Sequence, residues 1–240
     1  MPLAHHSGEC ENGRYGVVAL LPMKAHSARV AGKNFRDFCG RPLFRWILDT
    51  LLSLQSIDRV VINTDARHIL AEHGLVDTDR VLIRDRKPEL CGDFVSMNRV
   101  LADDVANIDA RIYLMTHTTN PLLKAETVHG ALAAFREAQA KGRADSLFTV
   151  DKVQTRFYRA DSSPVNHDPN NLIRTQDLEP WFEENSNLYI FTRGSFARTQ
   201  ARIGERPMMY ESAKFESIDI DTPEDWDFAV AATRYLLEQR

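Results

Sequence analysis

The chain has 240 residues, 43% hydrophobic and 27% charged, with a formal net charge of −4. That length allows one large α/β domain or two small ones around a real core, and the acidic balance argues against a nucleic-acid partner recruited by overall charge. No apolar run approaches the roughly 18 residues a membrane helix needs, so no membrane partner is expected.

Met1 to Tyr15 mixes His5, His6, Glu9, Glu11 and Arg14 without an apolar segment. It reads as a flexible extension and not a signal peptide, leaving residues 16–240 as a single domain. Cys10, Cys39 and Cys91 have no paired or metal-like spacing, which suits reduced thiols in a cytoplasmic protein.

The elements then come in order. Gly16 to Pro22 is an unbroken apolar run, the pattern of a strand covered on both faces. Pro42 opens a helix with Leu43, Ile47, Leu51 and Leu54 on one stripe. Arg59–Thr64 is a second strand, Ala66–His73 a short helix closed by Gly74, and Arg80–Arg84 a third strand. A helix over Val95–Val105, a strand over Arg111–Met115, a helix over Ala125–Lys141 and a strand over Ser146–Val150 follow. This alternation predicts an α/β fold with a doubly wound, mostly parallel sheet. Ligands in such sheets bind outside the carboxyl ends of the strands, here at Met23–Arg41, from Asp65 onward, at Thr116–Pro121 and after Val150. Thr155–Glu184 carries three prolines and reads as an excursion or small hairpin. Asn187–Thr192 and Phe215–Ile220 read as strands. Thr222-Pro223-Glu224-Asp225 then starts a final helix with Trp226, Ala229, Val230, Thr233, Leu236 and Leu237 as its buried stripe.

Two segments carry chemistry. Between Met23 and Arg45 six cations (Lys24, Arg29, Lys33, Arg36, Arg41 and Arg45) face one acid, Asp37, with small residues between them. Such a loop can wrap a triphosphate; a solvated loop with a chance excess of charge fits the composition equally well. It is no Walker loop, since no glycine pair precedes Lys-Ser or Lys-Thr. Near the end, Asp219 and Asp221 lie two residues apart, so on a strand both carboxylates point one way and suit a hard cation. Taken alone, the plainer reading of that pair is Asp221 as a helix cap and Asp219 exposed.

Pro22-Met23-Lys24-Ala25-His26-Ser27-Ala28-Arg29-Val30-Ala31-Gly32-Lys33-Asn34 resembles the nucleotide loop of the acylneuraminate cytidylyltransferases, the makers of CMP-sialic acid and, among relatives, CMP-Kdo. Ser27, Arg29, Gly32, Lys33 and Asn34 match. Lys24 replaces an arginine, Ala28 a lysine and Ala31 a proline. Gly40-Arg41-Pro42-Leu43, Ile62-Asn63-Thr64-Asp65, His117-Thr118-Thr119-Asn120-Pro121-Leu122, Arg174-Thr175-Gln176-Asp177-Leu178 and Glu184-Asn185-Ser186-Asn187-Leu188-Tyr189-Ile190 are similar to further family stretches, in order. His117, Ser186 and Asn187 depart from the family pattern.

The resemblance implies a Rossmann-like nucleotidyltransferase that moves CMP from CTP to a small anionic acceptor. It implies Lys24, Arg29 and Lys33 as catalytic phosphate-holding cations, and Pro22, Ser27, Asn34, Asp65 and His117 as further CTP contacts. Mg2+ at Asp219 and Asp221 follows from it, reversing the plainer reading of that pair. Acceptor contacts would be His117, Arg174, Asn185, Arg156 and, with them, Lys152. The excursion over 155–184 falls where family members build a homodimer contact. The expected acceptor is a sialic-acid-like nonulosonic or Kdo-type sugar. Alternatives are a phosphonate such as phosphonoformate, a non-catalytic nucleotide-binding relative, or a preference for UTP or GTP. His117 fits a ligand contact, a proton shuttle and ordinary loop hydrogen bonding alike. His68, His73 and His129 read as helix surface; Trp46 and Trp226 read as core.

Overall fold

The computed structural model describes residues 14–239. The extension expected over the first residues therefore lies outside the described part, apart from Arg14 and Tyr15, and Tyr15 already opens the first strand.

β1 (Tyr15–Leu20) forms because its alternate side chains are swallowed by two different cores. Val17 and Ala19 pack with Phe44, Ile47, Val128 and Leu132, Val18 and Leu20 with Leu101, Val105 and Phe196. A short ribbon, β2 (Asp37–Phe38) with β3 (Arg41–Pro42), leads into α1 (Leu43–Ser53), whose Phe44, Ile47, Leu48 and Leu51 are buried. Then come β4 (Arg59–Thr64), α2 (Arg67–Glu72), β5 (Val81–Asp85), α3 (Met97–Asn107), β6 (Ala110–Thr116), α4 (Ala125–Ala140) and β7 (Ser146–Val153). The remaining elements are β8 (Trp181–Phe191), α5 (Arg193–Thr199), β9 (Pro207–Glu211) and α6 (Pro223–Glu238).

Seven strands make one sheet in the order β5-β4-β1-β6-β8-β7-β9. β8 runs antiparallel to both its neighbours, while the other pairings are parallel. With helices on both faces this is the doubly wound, mostly parallel sheet that the alternation predicts.

Some expectations need correction. The strand expected at Asn187–Thr192 begins at Trp181, so the excursion over 155–184 ends inside the sheet. β9 and α5 carry too little periodicity to have been expected. Phe215–Ile220 is not a strand: Lys214–Ser217 is a turn, and Ile218–Asp221 is irregular. Its fixed points are Ile220, which is buried with Phe38, Leu43 and Trp226, and the Ile220 amide, which donates to the Thr119 carbonyl at 2.9 Å. A tertiary anchor thus replaces the ladder. α6 starts as expected, with Thr222 and Asp225 exchanging side-chain and backbone hydrogen bonds in a capping box. Leu237, expected in its buried stripe, is exposed. Trp226 is core and Trp46 is half-buried against Phe38, while His68, His73 and His129 are exposed. Among the described residues, no helix is long and apolar enough to cross a membrane.

Candidate nucleotide site

The loop after β1 is pinned at several points. Asn34, buried, donates from Nδ2 to the Lys24 carbonyl at 2.8 Å and accepts from the Thr118 hydroxyl at 2.6 Å. The Phe44 amide closes onto the Asn34 carbonyl, and Asp65 accepts from the Ala25 amide at 2.7 Å. The turn at the loop's middle needs a left-handed residue, which Gly32 supplies with φ +60°. Expected as nucleoside contacts, Asn34 and Asp65 hold the loop's shape with their side chains.

This folding produces a cleft of about 490 Å3 whose walls include Pro22, Lys24, Ser27, Arg29, Lys33, Asn34 and His117. The opposite wall comes from the segment after β5 and the start of α3, with Arg86, Leu90, Asp93, Val95 and Met97. The cleft sits where the strands end, as expected of an open α/β sheet.

Lys33 is the pivot. Only 8% exposed, it donates from Nζ to the Ile220 carbonyl at 2.5 Å, a contact across 187 residues, and lies 3.4 Å from Asp221 Oδ1. Burial pulls its ammonium below the usual lysine range, against the raising influence of Asp221 and Asp219. Arg29 reaches the same Asp221 oxygen at 2.9 Å. Lys24 pairs across the cleft mouth with Asp93 at 2.8 Å. Two loop cations therefore meet the acidic end of the chain, and the third is tied to the far wall.

Burial pushes the Asp219 carboxyl above its ordinary range, and the Asp221 charge adds to this, against a hydrogen bond from Thr119. Asp219 Oδ1 is buried without a hydrogen-bond partner. A desolvated carboxylate oxygen beside a second carboxylate is a hard donor set, and the pair fits a divalent cation. Neither residue acts as the helix cap, a role Thr222 fills.

His117 is half-buried in the cleft wall. Burial, then the charges of Arg202 and Lys33, hold its pKa well below the ordinary histidine range, so the ring is neutral near pH 7.

Of the expected acceptor contacts, His117 lines this chain's cleft and the other four do not. Asn185 bonds Thr149 and Asp151 of β7 and Ser212 just after β9. Arg156 donates to the Ile173 carbonyl, and exposed Arg174 pairs with Asp177 at 2.7 Å, both on the excursion. Lys152 pairs in register with Phe182 at the outer part of β7.

Two residues escaped sequence reading. Arg86 is 8% exposed, donating to Asn63 Oδ1 and to the Asn63 and Met23 carbonyls, with no carboxylate hydrogen-bonded to it. Its position directly after β5, at a strand's carboxyl end, was the available signal. Arg202, in the loop after α5, left no sequence signal at all.

A family profile described as cytidylyltransferase matches residues 18–239. The chain is 27% identical over 224 residues to an N-acylneuraminate cytidylyltransferase of Oncorhynchus mykiss, covering 89% of this chain and 49% of that protein. It thus spans about half the length of the first curated relatives it matches. It is 26% identical to the CMP-N,N'-diacetyllegionaminic acid synthase of Legionella pneumophila, covering 92% of this chain and 96% of that one. In fold it matches a CMP:2-keto-3-deoxy-manno-octonic acid synthetase solved with CTP, with a TM-score of 0.66 at 15% identity, over 92% of this chain and 99% of that one. A 4-diphosphocytidyl-2C-methyl-D-erythritol synthase from Anaerococcus prevotii follows at 0.60 and 14% identity, over 92% and 96%. With the profile running from β1 to the last turn of α6, this chain belongs to the cytidylyltransferase family.

Proposed function

We propose that this protein transfers CMP from CTP to a small anionic acceptor and releases pyrophosphate. The observation carrying this reading is the meeting of Lys33 and Arg29, which line the cleft, with Asp221, next to an Asp219 carboxylate oxygen that has no hydrogen-bond partner among the described residues. Lys24, Arg29 and Lys33 would neutralise the β- and γ-phosphates, while Ser27 and the loop amides around Pro22 shape the cradle. Arg86, its guanidinium bonded to Asn63 and the Met23 carbonyl in the far wall, would contact the nucleotide from that side.

An acceptor oxygen attacks the α-phosphorus, the bond to the bridging oxygen breaks, and pyrophosphate leaves with that electron pair. A hydroxyl acceptor also gives up its proton; an ionised acid has none to lose. Asp219 and Asp221 would hold Mg2+, which supplies charge neutralisation for phosphate oxygens. The protein's own share is positioning and electrostatics, with little demand for a strong base, in keeping with a neutral His117.

The relatives' names support an acidic nonulosonic or Kdo-type sugar as acceptor. We extend the proposal to a homodimer through the excursion over 155–184, where Tyr158, Leu172, Ile173, Trp181 and Phe182 are exposed together. A second copy docked there would bring Arg156 and Arg174 toward a neighbouring cleft, which accounts for their absence from this chain's own.

The test is pyrophosphate release from CTP with Mg2+ across sugar acids and small phosphonates, with UTP and GTP as controls. Turnover should need CTP and vanish with chelator or with Asp219→Asn. Turnover that survives Asp219→Asn, or that prefers UTP or GTP, would refute this reading.

A further inference from the structure

The antiparallel insertion of β8 creates a polar corner beside the cleft. β6 and β8 pair as Met115 with Tyr189 and Thr116 with Leu188. Carrying that register on by one residue sets Asn187 opposite His117. Since side chains alternate along a strand, both lie on the face that holds Met115 and Tyr189. Arg202 covers the same face: its Nη2 donates to the Tyr189 hydroxyl at 3.0 Å, its guanidinium stacks 3.8 Å over the Tyr189 ring, and Nη1 lies 3.9 Å from Met115 Sδ. The Arg202 backbone amide donates to Asn98 Oδ1 on α3, beside Met97 in the cleft wall.

Three features make this corner unlike ordinary packing. Asn187 is 0% exposed, yet among the described residues neither its side-chain oxygen nor its nitrogen has a hydrogen-bond partner. A buried amide in that condition is rare unless something else satisfies it. The Arg202 side chain is 19% exposed, and its ion pair with Glu184 is loose. Of its five donors, one meets a neutral hydroxyl and one a thioether, and Glu184 stands off at 3.7 Å with its carboxylate already taking the Tyr189 hydroxyl. His117 completes the set: it lines the cleft and follows directly on β6, opposite Asn187 in the extended register. A guanidinium and an unsatisfied amide on the sheet face that His117 carries on into the cleft wall match the needs of an oxyanion.

We propose that Arg202, Asn187 and His117 form a subsite for an anionic group of the acceptor, a carboxylate or a phosphonate. This deepens the cytidylyltransferase reading and rests on it. The group held here is separate from the oxygen that attacks phosphorus. In a sugar acid it is the carboxylate beside the reacting hydroxyl. In a phosphono acid the phosphonate attacks and the carboxylate docks.

Calorimetry with CTP, then with phosphonoformate, phosphonoacetate, N-acetylneuraminate or Kdo in the presence of CMP, tests the subsite without needing turnover. At least one acid should bind, and which of them does separates the phosphono source from the sugar source. Arg202→Met should weaken that acid about 10-fold or more, the scale of one charge-assisted hydrogen bond, with CTP affinity unchanged. Arg202→Lys should recover part of the loss, and Asn187→Ala should weaken the acid while CTP binding reports an intact fold. Unchanged acid binding in Arg202→Met and Asn187→Ala, or equal losses for CTP and acid, would overturn the subsite. So would a wild-type protein that binds CTP but none of the four acids. Failure of the wild-type protein to bind CTP would instead overturn the cytidylyltransferase reading.

Discussion

Replacing Lys33 by methionine tests the site at its pivot. The substitution keeps most of the buried stem but removes the ammonium that bonds the Ile220 carbonyl and sits 3.4 Å from Asp221. Burial already lowers the pKa of this lysine, so its charge is held at a solvation cost in the folded protein. Methionine removes that cost and leaves one carbonyl unpaired, at about 1–3 kcal/mol. The two effects oppose, and net stability should move by no more than about 2 kcal/mol. Binding should change far more selectively. A charge-assisted hydrogen bond to phosphate contributes about 1.5–3 kcal/mol, which converts to roughly 10- to 150-fold in affinity. That loss should appear for CTP and CDP and be nearly absent for CMP, because the loop cations are assigned to the outer phosphates. Titration calorimetry of the three nucleotides at fixed Mg2+ reads this directly. Equal weakening of CMP and CTP would refute the assignment of Lys33 to the outer phosphates, and unchanged CTP binding would remove it from the site.

Four further outcomes are expected. Asn34→Ala cuts the latch from Lys24 to Thr118 and should cost about 2 kcal/mol, lowering the melting temperature by roughly 4–8 °C in a domain of this size; an unchanged melting curve would show the loop is held elsewhere. His117 has a folded pKa below its unfolded value, so the unfolded chain binds the extra proton. Stability should therefore fall as pH drops below about 6.5, by up to about 1 kcal/mol per pH unit, and His117→Asn should flatten that slope in urea midpoints taken at pH 7.5 and 5.5. Ser186 has φ +55°, a conformation costing roughly 1 kcal/mol for a residue with a β-carbon. Ser186→Gly should thus raise the urea midpoint, unless the Tyr189–Ser186 hydroxyl contact at 3.3 Å outweighs the strain. Trp181→Lys with Phe182→Lys should convert a dimer to a monomer in light scattering, and a wild-type monomer at micromolar concentration would sink the dimer proposal.

The sequence by itself determined the elements whose environment is written locally. Gly16–Pro22 is a continuous apolar run and Arg59–Thr64 is built on one, Val60–Ile62, because a parallel strand covered by helices has no wet face. Thr222-Pro223 announces α6 because a cap and a pre-set φ act within one turn. Charge density over Met23–Arg45 left an anion cradle and a solvated loop equally open, and only the resemblance favoured a nucleotide loop; Lys24, Arg29, Lys33 and His117 all line the cleft.

Tertiary structure alone decided the rest. Asp219 and Asp221 both come near Lys33 without the strand that was expected to align them, because Ile220 is anchored between α6 and the ribbon, and its amide is tied to Thr119. Arg86 became a cleft wall through carbonyls of two other strand ends. Arg202 reached Tyr189 because β8 runs antiparallel between β6 and β7, which turns Tyr189 and Asn187 toward the α3 face. Strand direction and register are set by pairings many residues apart, and a one-residue slip sends each side chain to the opposite face. No local pattern carries that information, so the chemistry at the β6–β8 corner exists only once the sheet has formed.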